Sequence, residues 1–216
     1  MSLSTDYSSF QSRSNLTYLD LPQLNDDACS VLKFWFDKNN EPYWFEKNDA
    51  FDKQIEDKFG EIWQAAKRGE CSSWRHSDSQ IDTNSAITNL AGRLAEIIVL
   101  DQFSRNICRE QACAFAQDNM ALVLAQEAIH QPYFADSPMQ WRQFMILPFM
   151  HSESVTIHKN NVVLFEQLDD ANTLDFEHKH LAIIERFGRY PHRNAVLSRQ
   201  STSDELAFLQ QPDSSF

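Results

Sequence analysis

Four glycines serve a chain of 216 residues. Gly60, Gly69, Gly92 and Gly188 are too few for a protein built from hairpins and tight turns, which draw on residues tolerating positive φ. No segment of strand length alternates apolar and polar residues, whereas apolar residues recur three and four apart. Phe51, Ile55, Phe59, Ile62 and Ala66 make one such stripe, and Leu90, Leu94 and Ile97 begin another. Local chemistry agrees with helices. Asn25 and Asn48 are placed as N-caps, Gly188 as a helix end, and Thr202 with Glu205 as a capping box. The reading is all-α. Eight or nine helices are expected, in antiparallel neighbours joined by short connections, with helices over 84–106, 111–130, 153–168, 175–188, 191–199 and 202–210 and one ending before Pro148.

Residues 1–24 are rich in Ser, Thr, Asn and Gln without helical spacing and read as a flexible tail. Residues 25–216 read as one domain, a common size. Hydrophobic residues at 42% and charged residues at 23% are a globular balance. A formal charge of −12 argues against nucleic-acid binding, which needs Lys and Arg to displace counterions. No apolar run approaches a membrane span and no signal-peptide core is visible. Cys29, Cys71, Cys108 and Cys113 lack zinc-site spacing and read as reduced thiols, which with the other signals places the chain in the cytoplasm. The five tryptophans read as core or groove aromatics. GxSxG, Walker, GxGxxG and HExxH motifs are all absent.

Three segments carry unusual polar chemistry. The stripe through Leu90, Leu94 and Ile97 continues at the same spacing into Asp101 and Arg105, placing a charge pair on an apolar face. Such a pair either fixes helix packing or serves a site. His151 and Glu153 follow Pro148 at a helix start, where they can act as base and orienter or as two metal ligands; capping by Ser152 with a hydrogen-bonded histidine is the structural alternative. The segment 186–199 holds Arg186, Arg189, Arg193 and Arg199 with no acidic residue, inside a strongly acidic chain. Arginine forks beside a helix N-terminus suit an anion; pairing with internal carboxylates such as Asp101 and Glu153 is the competing use. His180 lies on the apolar face made by Phe176, Ile183 and Phe187. His158, on the face of Val155, Val162 and Phe165, reads as a core histidine.

These segments, Leu100-Asp-Gln-Phe-Ser-Arg-Asn106, Pro148-Phe-Met-His-Ser-Glu153 and Arg186-Phe-Gly-Arg-Tyr-Pro-His-Arg-Asn194, together resemble the bacterial family called domain of unknown function 924. The likeness runs from about Val31 to Leu209. It implies a tetratricopeptide-like α-α superhelix and no function. The chain departs from the family pattern at Ser154, where members usually carry Asp, at His158 for a usual Gln, and at Ser198 for a common Gly.

The expectation is therefore a helical protein binding a small anionic ligand, with or without hydrolysis or transfer of part of it. Candidate catalytic residues are His151, Glu153 and Asp101. Candidate ligand-binding residues are Arg105, His180, Arg186, Arg189, His192, Arg193 and Asn194. No metal or cofactor is assigned, although His151, Glu153 and His180 form a weaker metal-enzyme alternative. A rival from another class is a scaffold that binds a protein or peptide, its polar motifs serving as braces.

Overall fold

The computed structural model describes residues 21, 23–76, 83–212 and 214, and among them regular structure is helical throughout. The elements are α1 (Asp26–Trp35), α2 (Asp49–Lys67), α3 (Thr83–Ile98), α4 (Ser104–Ile107), α5 (Asp118–Ala128), α6 (Met139–Met150), α7 (Val155–Glu166), α8 (Ala171–Phe187) and α9 (Ser203–Phe208). A π-helical turn over Val99–Phe103 joins α3 to α4 without a break, so nine segments make eight rods among the described residues. No described helix is long and apolar enough to cross a membrane. The expected tail lies outside the described residues as far as 20; Leu21 and Leu24 are buried.

Helix starts follow the polar caps. Asn25 Oδ1 accepts from the backbone N–H groups of Asp27 and Ala28, and Asn48 Oδ1 accepts from that of Phe51. Asp170 caps α8, and Thr202 and Glu205 form the reciprocal capping box of α9. Each cap satisfies amide donors that the first helical turn cannot. Gly188 closes α8 at φ 69°, a left-handed position where a Cβ is costly.

The core is aromatic at one end and centred on α3. The Trp35 ring, wholly buried, meets Trp44, Phe51, Phe103 and Phe144 with centroids 5.3 to 6.3 Å away. A side chain of this kind removes on the order of 200 Å² from water, about 5 kcal/mol of transfer free energy. Every residue from 91 to 104 is buried. This rod is enclosed by α1, α5, α6 and the 3-10 turn Ser72–Arg75. Gly92 permits that enclosure, because a Cβ there would stand 1.8 Å from the Trp74 carbonyl oxygen. Downstream, α5 packs on α6, α6 on α7 and α7 on α8.

Several expected boundaries shift. The helix expected over 111–130 is a 3-10 turn, Ala112–Ala114, followed by α5. Pro148 lies inside α6, which continues to Met150. The segment 191–199 is a 3-10 turn at Pro191–Arg193 and then irregular. Cys108 and Cys113, expected as thiols, are joined as a disulfide, while Cys29 and Cys71 are free. The Cα atoms of Cys108 and Cys113 are 5.6 Å apart, within the usual bridging range.

Candidate functional site

Five elements meet around His151. The π turn supplies Asp101, α4 supplies Arg105, α5 begins with Asp118, His151 is the C-cap of α6, and the 3-10 turn after α8 supplies Arg193. The Asp101 carboxylate is buried, and its Oδ1 lies 2.7 Å from His151 Nδ1 and 2.9 Å from Arg105 Nη1. Gln102 Nε2 donates to the other oxygen at 2.6 Å. Arg105 extends the network through two hydrogen bonds to Asp118, at 2.9 and 3.1 Å, and Arg193 Nη1 reaches the same carboxylate at 2.9 Å. Two carboxylates thus face two guanidinium groups.

The protonation states follow from this packing. Burial works against the Asp101 anion, but Arg105, His151 and Gln102 together outweigh it and hold the carboxyl well below its usual range. Burial first, and then the Arg105 charge, push the His151 imidazole below its ordinary value, so it is neutral near pH 7. A carboxylate can only accept, so Nδ1 carries the ring hydrogen and Nε2 keeps a lone pair. The His151 side chain retains 15% of its exposure. Orienting carboxylate, neutral imidazole and partial access together meet the chemical requirement for a general base.

Arg193 is held in a ladder of rings. Its guanidinium lies 4.4 Å from both the Phe115 and Tyr190 centroids, and Tyr190 in turn stacks on His192 at 5.6 Å. Two buried polar atoms here, Arg193 Nε and His192 Nδ1, have no hydrogen-bond partner among the described residues. An unsatisfied buried donor costs about 1–3 kcal/mol and asks for an explanation. Burial lowers the His192 pKa to about 4 and that of His180 to about 3. Tyr190 is anchored by its hydroxyl, which donates to the Met150 carbonyl and lies 3.2 Å from His158 Nε2.

The other expected residues are placed elsewhere. Glu153 does not meet His151; it pairs with Arg199 at 2.6 and 2.8 Å and accepts from the Tyr190 N–H at 2.7 Å. Arg189 pairs with Glu205. Arg186 is exposed and lies over Phe187 and Phe208. Asn194 is buried, donating to Ser201 Oγ and accepting from Arg199 Nε. His180 sets its Nδ1 2.7 Å from the Phe176 carbonyl oxygen and its ring edge against Tyr190. His158 is fully buried between Glu177 and the Ser152 carbonyl. Helix α7 is capped by Ser154, whose Oγ accepts from Ile157 N, and not by Ser152. Among the described residues no three His, Cys, Asp or Glu side chains are grouped to hold a metal ion. Residues that sequence reasoning missed are Asp118, which links both arginines, and Phe115. Asp118 fell inside the helix expected over 111–130, and no signal marked it.

Architecture and site together define an all-helical protein with a buried carboxylate–imidazole–arginine cluster where its central rod meets its C-terminal segments. The chain belongs to the family described as bacterial protein of unknown function (DUF924), whose model matches residues 31–213. Among solved structures it is similar to a protein of unknown function, ATU0120, from Agrobacterium tumefaciens. The identity is 33% and the TM-score 0.74, covering 85% of this chain and 96% of that one. No curated protein matches.

Proposed function

We propose that the protein binds a small anionic ligand beside His151 and Arg193, and that His151 removes a proton from the ligand or from a water next to it. The observation that carries this reading is the 2.7 Å contact between His151 Nδ1 and the ionised Asp101, which leaves Nε2 as the accepting nitrogen. On proton transfer the imidazolium is stabilised by Asp101, which stays charged, as in other carboxylate-oriented histidine bases. Asp101 and Asp118 already match the charges of Arg105 and Arg193, so net attraction would not hold an anion. Directional donors would, and the unpartnered Nε of Arg193 is such a donor. Hydrolysis or transfer of part of the ligand is the reaction class that a single activated water or hydroxyl supports.

The test is a thermal-shift screen with inorganic phosphate, phosphate monoesters and small carboxylates, followed by His151 ring NMR with any that respond. A ligand at 100 times its Kd adds about 2.7 kcal/mol of stability. Stabilisation by an anion, a moved His151 signal and loss of both in Arg193→Lys support the reading. No response from any anion at millimolar concentration overturns it. A second reading, a protein- or peptide-binding scaffold with internal polar braces, is favoured by one observation: Arg189 and Arg199 are already matched by Glu205 and Glu153.

A further inference from the structure

The connection between α4 and α5 is closed on itself next to the His151 cluster. Cys108 follows the last residue of α4 and is disulfide-bonded to Cys113. Between them the chain reverses, with Gln111 N donating to Cys108 O at 2.9 Å and Glu110 at φ 62°. That left-handed conformation is unfavourable for a residue with a Cβ and persists where the surroundings impose it. Flanking the ring are Arg105 and two of the groups that hold Arg193. Arg105 precedes it on α4, and Phe115 and Asp118 follow it closely. The Phe115 ring lies 5.7 Å from the Arg105 guanidinium and 4.4 Å from that of Arg193, while Asp118 binds both. Whatever sets the path of residues 108–117 therefore sets the spacing between Arg105 and the Phe115–Asp118 side of the cluster.

We infer that the Cys108–Cys113 disulfide is a reversible redox latch on the Arg105–Asp118–Arg193 network. Cys113 is partly exposed and Cys108 is 4% exposed, so an incoming thiolate reaches Cys113 first. A dithiol reductant attacks Cys113 Sγ, the bond to Cys108 breaks, and Cys108 leaves as a thiolate and takes up a proton. The second thiol of the reductant then displaces Cys113, which also ends as a thiol, and the reductant departs as a disulfide. Two electrons and two protons enter the chain. With the ring open, the backbone at Glu110 is no longer fixed by the closed ring and the 108–117 connection gains slack, while the Glu110 side chain keeps its pair with Lys47 at 2.6 Å. Arg109 remains tied to Asp52 through two hydrogen bonds, so the loosening is local and concentrates on Phe115 and Asp118.

The experiment uses the full chain held in oxidised glutathione or in dithiothreitol. Alkylation under denaturing conditions with mass measurement should count two thiols in the first state and four in the second. Amide exchange across 104–118 should be about tenfold faster in the reduced protein and in Cys113→Ser, with exchange in α7 and α8 unchanged. The Arg193 Nε–H signal should shift with it. The inference is overturned if oxidised glutathione leaves four thiols, if 104–118 exchanges equally in both states, or if Cys113→Ser accelerates exchange throughout the molecule. No readout involves a ligand, so the latch and the ligand reading fail separately.

Discussion

Asp101→Ala removes the one carboxylate that His151, Arg105 and Gln102 share. Three donors lose an acceptor at 2.7, 2.9 and 2.6 Å, in a position with 0% exposure where water offers little replacement. Removing one partner of a buried ion pair costs about 3–5 kcal/mol when the other is left unmatched. Arg105 is not left unmatched, because its two hydrogen bonds to Asp118 remain. The expected loss is therefore near the lower bound, about 3 kcal/mol, which for a chain of this size lowers Tm by about 6–12 °C. Urea unfolding at pH 7 measures the first quantity and a thermal melt the second. The same variant separates charge from packing at His151. Asp101 raises the pKa of that imidazole, while burial and Arg105 lower it, so loss of the carboxylate should drive the His151 titration still lower. A loss below about 1 kcal/mol, or a His151 pKa that rises, would refute the idea that Asp101 is the charge on which the cluster is organised.

Two more outcomes follow from burial. His192 and His180 have folded pKa values of about 4 and about 3, whereas unfolded imidazoles protonate near 6.5. The unfolded chain then binds protons first, so stability is level above about pH 6.5 and falls as pH drops toward 4, by several kcal/mol in all; a urea midpoint that stays flat between pH 7 and 4.5 contradicts this. Gly92→Ala forces a methyl group against the Trp74 carbonyl and should cost about 3 kcal/mol or more, whereas Gly60→Ala, in α2 with nothing within 4 Å, should gain about 0.5–1 kcal/mol. Equal melting points for the two variants would contradict the close approach.

Much of the fold was legible because it rests on local chemistry. Asn25, Asn48, Gly188 and the Thr202–Glu205 box mark helix ends through hydrogen bonds made within a few residues, and the stripe on α2 states its buried face except that Trp63 is buried where Ile62 was expected. The pairing of Asp101 with Arg105 was legible for the same reason, being one turn of helix apart. What stayed hidden depends on distant partners. The residues 191–199 carry no α-helix, and their arginines pair with distant carboxylates, Arg193 with Asp118 and Arg199 with Glu153. Ser198 also takes φ 54°, a left-handed position that favours Gly and interrupts regular winding. Glu153 looked like a companion for His151 because the two are near in sequence, yet its neighbour in space is Arg199. The Cys108–Cys113 bridge carried no spacing signal at all.

The wide turn at Val99–Phe103 fits one more residue into its circuit than ordinary winding would. Each residue of an α-helix advances the direction of its side chain by about 100°. If the same five residues wound as an ordinary α-helix, the rod beyond them would be rotated by most of that angle, turning Arg105 away from Asp118 while the aromatic packing upstream stayed in phase. The charged cluster is thus timed by a residue count: its assembly depends on an extra step in the rod as much as on the identity of the groups that meet there.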